Sequence, residues 1–274
     1  MSAEPTHGAA SAEAVLAVEH RSGVAWLTLN RPDSLNSLDT GLKEALLAAL
    51  GDAAEDPAVR AVALTGSGRG FCVGQDLREL SGVYSAGRAP DFAEVLERHY
   101  APTIRLLAGM PKPTVAVVNG IAAGAGVSLA LACDLRLASS DTRFRLAFSG
   151  IALVPDAGAT WHLPRLVGLS KAMEIALIGD WVDAGEALRI GLVNRVFPGG
   201  ELAARAEEVL ATLAGGPTLA LARTKALLRS NLQADLDRAL AAEAEVQAVS
   251  GQTKDHLEGV TAFVEKRPPR FEGA

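Results

Sequence analysis

The chain has 274 residues, 49% of them hydrophobic, and its 26 basic and 32 acidic side chains give a formal net charge of −6. This length and apolar content are enough for a full hydrophobic core, in one large domain or in one domain with an extension. An acidic balance without a long basic run argues against a nucleic-acid partner, because phosphate binding leaves a basic footprint.

The cysteines, histidines and apolar runs further limit the classes of protein to which the chain can belong. Cys72 and Cys133 have no metal-ligand spacing and indicate a reducing compartment without a disulfide framework. The histidines have no mutual spacing suited to a metal, so no metal site is expected. No apolar run approaches the ~20 residues that span a bilayer, and the N-terminus lacks a secretory pattern. We expect a cytoplasmic chain with no membrane partner, in which the small, polar residues 1–13 form a disordered tail.

The first half of the chain alternates β-branched runs with amphipathic stretches, which predicts an α/β part. The predicted strands are 15–19, 24–30, 59–65, 114–118 and 134–138. The predicted helices are one that Asp39 or Thr40 caps, a long one over 92–109 that is interrupted at Pro102, and one over 127–132.

Nearly everything beyond residue 158 has a helical pattern. The composition changes near Gly199, which marks a soft boundary between an alternating part, residues 14–199, and an all-helical part, residues 200–274. The predicted helices are 159–167, 170–178, 183–190, 201–213, 218–231, 235–250 and 255–266.

The chain is organised around a strand, a turn and a helix at residues 114–132, where Gly120, Gly124 and Gly126 precede a run of good helix formers. Glycine is unfavourable this close to a helix, so its presence needs a reason. One interpretation is that the glycines leave the first amides of the helix exposed. These amides would then bind an anion, or a carbonyl oxygen that becomes negatively charged during a reaction. The other is that they only let the helix pack closely on its strand. The sequence leaves both open.

A second glycine-rich loop, 66–70, also follows a strand and leads into a helical piece. If the two loops converge, the amides of Gln75 and Ala125 would donate hydrogen bonds to the same oxygen and form a two-donor oxyanion hole. Neither loop fits a nucleotide-binding fingerprint, because the spacing is not G-x-G-x-x-G and no G-K-[ST] follows.

Asp156 is the candidate acid/base, since it lies in the loop sequence L-V-P-D-A-G. Apolar neighbours raise the pKa of such a carboxyl towards neutrality. The alternative is that Asp156 caps a helix that starts near Gly158. Asp76 and Asp134 are interpreted as caps or turn residues, and Ser128 as a packing residue.

Three motifs together resemble the signatures of the enoyl-CoA hydratase/isomerase (crotonase) superfamily over nearly the whole chain. They are G-F-C-V-G-Q-D-L from residue 70, N-G-x₃-G-A-G from residue 119 and C-D-L from residue 133. The resemblance implies a crotonase-like spiral of ββα repeats over 14–199 that holds an acyl-CoA site. It also implies a helical C-terminal trimerisation region over 200–274, in a homotrimer or homohexamer. The implied ligand is an acyl-CoA thioester, so coenzyme A is part of the substrate and no separate cofactor is expected.

The resemblance also bears on the reaction. Hydratases of this family hold water with two glutamates, which correspond here to Ser128 and Phe148, so the ordinary hydratase mechanism is doubtful. The segment 147–165 instead is similar to the isomerase branch, which includes ring-1,2-epoxyphenylacetyl-CoA and Δ3,Δ2-enoyl-CoA isomerases. Asp156 then corresponds to the isomerase base, with the Gln75 and Ala125 amides holding the enolate.

For the coenzyme A moiety and the acyl group, the resemblance implies a longer set of contacts. Phe263 and Lys266 correspond to a pair that reaches the adenine and phosphates bound by a neighbouring subunit. The alternative for Lys266 is an exposed cation at a helix end. The other implied contacts are Arg31, Ser34, Asn36, Leu38, Gly74, Gln75, Asp76, Leu77, Gly124 and Phe148.

Three functional hypotheses follow. The favoured one is an acyl-CoA isomerase that shifts a double bond, or opens a ring epoxide, with Asp156 as acid/base. The second is an enoyl-CoA hydratase that uses Asp156 to activate water. The third is a member that binds acyl-CoA or RNA without turnover, and the acidic balance argues against RNA.

Overall fold

This computed structural model describes residues 14–274. They contain ten strands in two sheets and twelve α-helices. The predicted tail, residues 1–13, lies outside them. The strands are β1 (Leu16–Arg21), β2 (Val24–Leu29), β3 (Ala61–Gly66), β4 (Gly70–Cys72), β5 (Thr114–Val118), β6 (Ile121–Ala123), β7 (Leu135–Ser139), β8 (Arg143–Arg145), β9 (Val182–Asp183) and β10 (Arg195–Phe197).

The helices divide between the spiral and the C-terminal part. The first eight are α1 (Thr40–Glu55), α2 (Leu77–Ser85), α3 (Phe92–Val95), α4 (Ala101–Gly109), α5 (Ala125–Ala132), α6 (Ala159–Val167), α7 (Leu169–Ile178) and α8 (Ala184–Arg189). The last four are α9 (Leu202–Ala214), α10 (Thr218–Asn231), α11 (Leu236–Ser250) and α12 (Lys254–Glu265). None of the helices within residues 14–274 combines the length and the apolar character that a membrane crossing requires.

The two sheets are built by a repeating strand–strand–helix unit. The larger sheet has the order β1-β2-β3-β5-β7-β10, and the smaller one has the order β4-β6-β8-β9. Each consecutive pair of strands, β3 with β4, β5 with β6 and β7 with β8, therefore gives one strand to each sheet. Strands β3, β5 and β7 pair in parallel in the larger sheet, and β4, β6 and β8 pair in parallel in the smaller one. This arrangement is the predicted spiral of ββα repeats.

Alternation along the central strands separates two hydrophobic clusters on opposite faces of the larger sheet. On β3, Val62 and Leu64 face the main core, whereas Ala61 and Ala63 face a second cluster. Helix α9 covers that second face with Leu202, Ala206, Leu210 and Ala214. Because both faces are covered, every residue of β5 is buried, as expected for a central parallel strand.

The helical predictions are confirmed to within one or two residues, with one correction. The break in the helix predicted over 92–109 is a π-helical turn at Leu96–Tyr100, between α3 and α4, and not Pro102 itself. Pro102 lies in the first turn of α4. A proline ring crowds the carbonyl four residues earlier, which here belongs to the π-helical turn, so the backbone widens before the proline.

Helix α10 is anchored to the spiral by partly buried charges. Asp134, which the sequence suggested was a cap or turn residue, accepts from Lys225 at 2.8 Å and from Arg229 at 3.1 Å. It thereby ties α10 to the larger sheet, where it also accepts from the Thr114 amide at 2.8 Å. Helix α11 has no buried side chain and carries exposed leucines. The trimerisation role of this region stays a prediction.

Candidate active site

The two glycine-rich loops converge at the same edge of the smaller sheet. Strands β4 and β6 pair in parallel, with Cys72 beside Ala122, so the segments that follow them leave the sheet together. Gly74 has φ +85°, and a Cβ atom added to it would lie 2.8 Å from the Ala125 amide nitrogen. Glycine is therefore required at position 74, because it allows the segment before Gln75 to touch the start of α5.

The amides of Gln75 and Ala125 are both free to bind a ligand. On either side of Gln75, the Gly74 carbonyl and the Asp76 amide bond to Leu38, at 2.7 and 3.1 Å, so the Gln75 N–H faces the opposite way. Ala125 is the first residue of α5, where an amide has no intrahelical acceptor. Within residues 14–274 neither amide donates a hydrogen bond, and both residues line one cavity.

The glycines of the central segment allow close packing and also leave the first amides of α5 without acceptors, whereas binding of an oxygen by these amides stays a prediction. A Cβ atom on Gly126 would collide with the Cys72 carbonyl, and one on Gly120 would collide with the Arg69 carbonyl, so these two allow close packing. Gly124 has room for a Cβ atom but adopts φ +50°, which turns the chain so that α5 begins with bare amides. Packing and exposure of the amides thus fall on different glycines.

The cavity in front of the two amides has a volume of about 150 Å³ and a mainly apolar wall. Apolar and aromatic side chains from α2, the α3–α4 segment and the 147–156 loop form this wall; the larger ones are Leu80, Phe92, Leu96, Tyr100, Phe148 and Leu153. Asp156 is the single carboxylate on the wall among the residues that the structure describes. The cavity therefore combines two hydrogen-bond donors with one acid in apolar surroundings.

Asp156 is a half-buried carboxyl, one of whose oxygens has no polar partner within residues 14–274. Its Oδ1 is buried and has no hydrogen bond within the described chain, and burial raises its pKa from 3.8 to about 6. The alternative that Asp156 caps a helix is wrong, because Gly158 is the N-cap of α6 and no side chain bonds there. A carboxylate with this pKa is ionised at neutral pH and suits a general base.

Ser128 has a role beyond packing, because its hydroxyl donates to the Asp156 carbonyl at 3.0 Å. The bond joins α5, whose first amide is the predicted oxyanion-hole donor, to the loop that carries the Asp156 carboxyl. The same carbonyl accepts from the Ala159 amide at 2.9 Å. Helix α5 and the base are therefore held in a fixed relation.

Sequence reasoning missed two polar residues beside the site, Lys43 and Tyr100. Lys43 is only 4% exposed although it lies in α1 among leucines. The Tyr100 hydroxyl donates to the Gln75 side-chain oxygen at 2.9 Å. For Lys43 one sequence signal was available, a lysine on the apolar stripe of a helix. For Tyr100 the sequence carries no comparable signal.

Comparisons with known proteins identify the family. The Enoyl-CoA hydratase/isomerase profile matches residues 19–274. The 1,2-epoxyphenylacetyl-CoA isomerase of Escherichia coli is 42% identical over 251 residues, which cover 92% of this chain and 95% of that protein. The chain belongs to the enoyl-CoA hydratase/isomerase family.

Other members of the family carry hydratase names. A protein of Rhodobacter capsulatus named "Probable enoyl-CoA hydratase" is also 42% identical, over 93% of this chain and 96% of its own length. The crystal structure of an enoyl-CoA hydratase from Bacillus anthracis matches with a TM-score of 0.88 at 34% identity, covering 95% of this chain and 100% of that chain. Because isomerase and hydratase names occur at the same identity, the reaction has to be argued from the site.

The family contacts predicted at residues 31–38 form a supporting layer behind the glycine loops. Arg31 pairs with Asp76 at 2.9 Å. The fully buried Asn36 amide donates to the carbonyls of Ser67 and Gly70, at 3.0 and 2.8 Å. Leu38 is 1% exposed, and the Ser34 hydroxyl donates to the Arg31 carbonyl at 3.1 Å. Direct contacts from these residues to coenzyme A stay predictions.

The remaining predicted residues fall into two places. Gln75, Leu77, Gly124 and Phe148 line the cavity, and Gly74 and Asp76 flank Gln75. The Asp76 carboxylate accepts from the amides of Arg78 and Glu79, so the prediction of a cap is confirmed. Phe263 is 85% exposed near the end of α12, and Lys266 ends that helix in a left-handed conformation. Neither lines the cavity, and their predicted role concerns a neighbouring subunit.

Proposed function

We propose that this family member is an acyl-CoA isomerase, with Asp156 as the acid/base and the Gln75 and Ala125 amides as the oxyanion hole. One observation carries the proposal: Asp156 is the single carboxylate on the wall of the cavity, within the described residues, and it shares that cavity with both amides. By the family resemblance, the positions of the two hydratase glutamates correspond to Ser128, whose hydroxyl donates to the Asp156 carbonyl, and to Phe148.

One carboxylate is sufficient for a double-bond shift. Ionised Asp156 removes a proton from C2 of a 3-enoyl thioester. The C2–H electrons form a C1=C2 double bond, and the carbonyl π electrons move to the oxygen, which becomes negative between the Gln75 and Ala125 amides. Protonated Asp156 then returns the proton to C4 as the carbonyl re-forms, which leaves a 2-enoyl thioester. Atoms and charge balance without water or a second acid.

A hydratase is the second candidate, favoured by the Rhodobacter relative that carries that name at 42% identity. Hydration would require Asp156 to activate a water molecule for attack on C3. The apolar wall at Phe148 offers that water no further hydrogen bond, so the isomerase is the better fit. The name of the Escherichia coli relative supports a third substrate, a ring epoxide on an acetyl-CoA chain, for the same constellation.

A paired rate assay tests the proposal. Purified wild type and Asp156→Asn are given 3-enoyl-CoA and 2-enoyl-CoA in parallel, with Asp52→Asn, an exposed carboxylate on α1, as the matched control. We expect conversion of 3-enoyl-CoA without hydration, and a loss of about 10³-fold or more in Asp156→Asn alone. Hydration of 2-enoyl-CoA at a comparable rate would refute the isomerase assignment. Unchanged acyl-CoA affinity in Asp156→Ala, with no turnover by wild type, would support a non-catalytic binder.

We also propose a homotrimer or a dimer of trimers, in which Phe263 and Lys266 reach coenzyme A bound to the neighbouring subunit. The support is that α11 has no buried side chain in a single chain and that leucines are exposed along α10–α12. Sedimentation equilibrium measures the mass of the assembly directly. A monomer at micromolar concentration would contradict the proposal.

A further inference from the structure

A largely buried polar cluster surrounds the side chain of Gln75, whose backbone amide belongs to the proposed oxyanion hole, and we call it the Lys43 network: Lys43, Gln75, Glu79 and Tyr100. The Lys43 ammonium donates to the Gln75 side-chain oxygen Oε1 at 3.2 Å. It also pairs with Glu79 Oε2 at 3.6 Å. Lys43 is 4% exposed, so its charge is almost fully removed from water.

Every polar atom of the Gln75 carboxamide is engaged in this network. Its Oε1 accepts from both Lys43 and Tyr100, and its Nε2 donates to Glu79 Oε2 at 3.1 Å. Glu79 is in turn held to the start of α1, since its other oxygen accepts from the Thr40 amide and hydroxyl, at 3.1 and 2.7 Å. Burial raises the pKa of Tyr100, so its hydroxyl stays a donor at neutral pH. The side chain of Gln75 is thus clamped from three elements.

The fold alone does not require a lysine at position 43. Its neighbours on the same face of α1, Leu42 and Leu46, are apolar and buried. Exposed ion pairs contribute little to stability, and buried ones can often be replaced by packed apolar side chains without loss. Stability is therefore a poor reason for this pair, in which Lys43 is 4% and Glu79 is 35% exposed. The residue that Lys43, Tyr100 and Glu79 have in common is Gln75, whose backbone amide faces the cavity.

We propose that Lys43 is a positioning residue, which together with Tyr100 and Glu79 clamps the Gln75 side chain and so fixes the direction of the Gln75 N–H towards the substrate oxygen. The inference rests on the proposed oxyanion hole. Oxyanion stabilisation depends on preorganised donors, and a catalytic group displaced by about 1 Å costs up to about 10²-fold in rate. Removing the clamp therefore lowers the rate of enolate formation more than it weakens binding of the thioester.

Lys43→Met tests the clamp, because methionine keeps the length of the stem and removes the ammonium. We expect kcat to fall by about 10- to 100-fold with KM changed by less than about threefold. Lys43→Arg, which can still donate to Gln75, recovers part of the loss. The matched control is Lys112→Met, a lysine that is 7% exposed and donates to the Ala53 and Asp56 carbonyls away from the cavity. It leaves kcat unchanged.

A readout independent of turnover separates this inference from the proposed function. A cinnamoyl-CoA with an electron-donating ring substituent shifts its absorbance to the red when an oxyanion hole polarises the carbonyl. We expect a full shift in wild type and in Lys112→Met, and a reduced shift in ligand-saturated Lys43→Met. Tyr100→Phe, which removes one donor to Gln75, gives an intermediate shift and serves if Lys43→Met does not fold.

A double-mutant cycle shows whether Lys43 acts through Gln75. Gln75→Met keeps the backbone N–H and removes the carboxamide, so Lys43→Met should cost nothing further in that background. Additive losses, or a full red shift in saturated Lys43→Met, would overturn the clamp and leave the isomerase intact. Absence of any red shift in ligand-bound wild type would instead remove the oxyanion hole, and with it both proposals.

Discussion

Replacing Asp156 by asparagine is expected to abolish turnover and, at neutral pH, to stabilise the protein. The wild-type carboxyl has a pKa raised from 3.8 to about 6 because burial disfavours its charged form. Between these two pH values the folded chain binds more protons than the unfolded chain. The free energy of unfolding of wild type therefore falls as the pH rises through this window, whereas that of Asp156→Asn has no such contribution.

The size of the effect follows from the same two pKa values. A difference from 3.8 to about 6 corresponds to about 3 kcal/mol at about 1.4 kcal/mol per pH unit. Asp156 is half-buried, so solvent screening reduces the expected effect to about 1–2 kcal/mol. The stabilisation of the asparagine variant relative to wild type is fully developed above about pH 7 and absent below about pH 4.

Urea unfolding of both proteins from pH 4 to pH 8 measures this difference, and comparing pH values cancels any constant effect of the new amide. In parallel, kcat/KM of wild type should fall about tenfold per pH unit below pH 6, because the base must be ionised. A stability difference that is flat with pH, together with an activity limb near pH 4, would show that the carboxyl titrates normally. The argument from burial would then be wrong.

Three further substitutions probe the site and its support. Gly74→Ala should lower kcat by about 10²-fold or more, because Gly74 has φ +85° and an added Cβ atom would lie 2.8 Å from the Ala125 nitrogen. The control is Gly51→Ala, at a helical position with open space around it, which should keep full activity. Ser128→Ala should cost about 1 kcal/mol of stability and a several-fold loss in kcat that Ser128→Thr partly restores, as stopped assays and melting curves will show. Lys225→Met should destabilise by about 1–3 kcal/mol in urea, since Arg229 still pairs with Asp134, without changing kcat of the folded enzyme.

Local chemistry made the helix starts predictable. The carboxylates of Asp39, Asp183 and Asp235 accept from amides in the first turn of α1, α8 and α11, as a capping residue should. The short strands were not predictable in the same way. Strand β6 has three residues and β9 has two, and they exist because neighbouring backbones supply partners, which no local pattern records.

The candidate site also has a part that local sequence features predict and a part that depends on contacts between distant segments. Gln75, Ala125 and Asp156 line one cavity, and they could be singled out beforehand because glycines and a lone acid in an apolar loop are features of single segments. Their catalytic roles stay predictions. The Lys43 network could not be singled out, since Lys43 and Tyr100 are separated from Gln75 by 32 and 25 positions and meet only in the fold. For Asn36, the family resemblance implies a contact to coenzyme A, which stays a prediction. The structure adds what the sequence did not show, that the Asn36 side-chain amide donates to the Ser67 and Gly70 carbonyls.

Ser128 and Phe148, which the family resemblance matches to the two hydratase glutamates, give the buried Asp156 Oδ1 no hydrogen-bond partner. Ser128 turns its hydroxyl to the Asp156 carbonyl, and Phe148 contributes to the apolar wall. A carboxylate at either position would place a like charge near Asp156 and bring water with it. With these residues the pKa of Asp156 is raised by burial alone, to about 6. A carboxyl of that pKa is ionised at neutral pH and still returns its proton readily, which is what the proposed proton shift from C2 to C4 requires of Asp156.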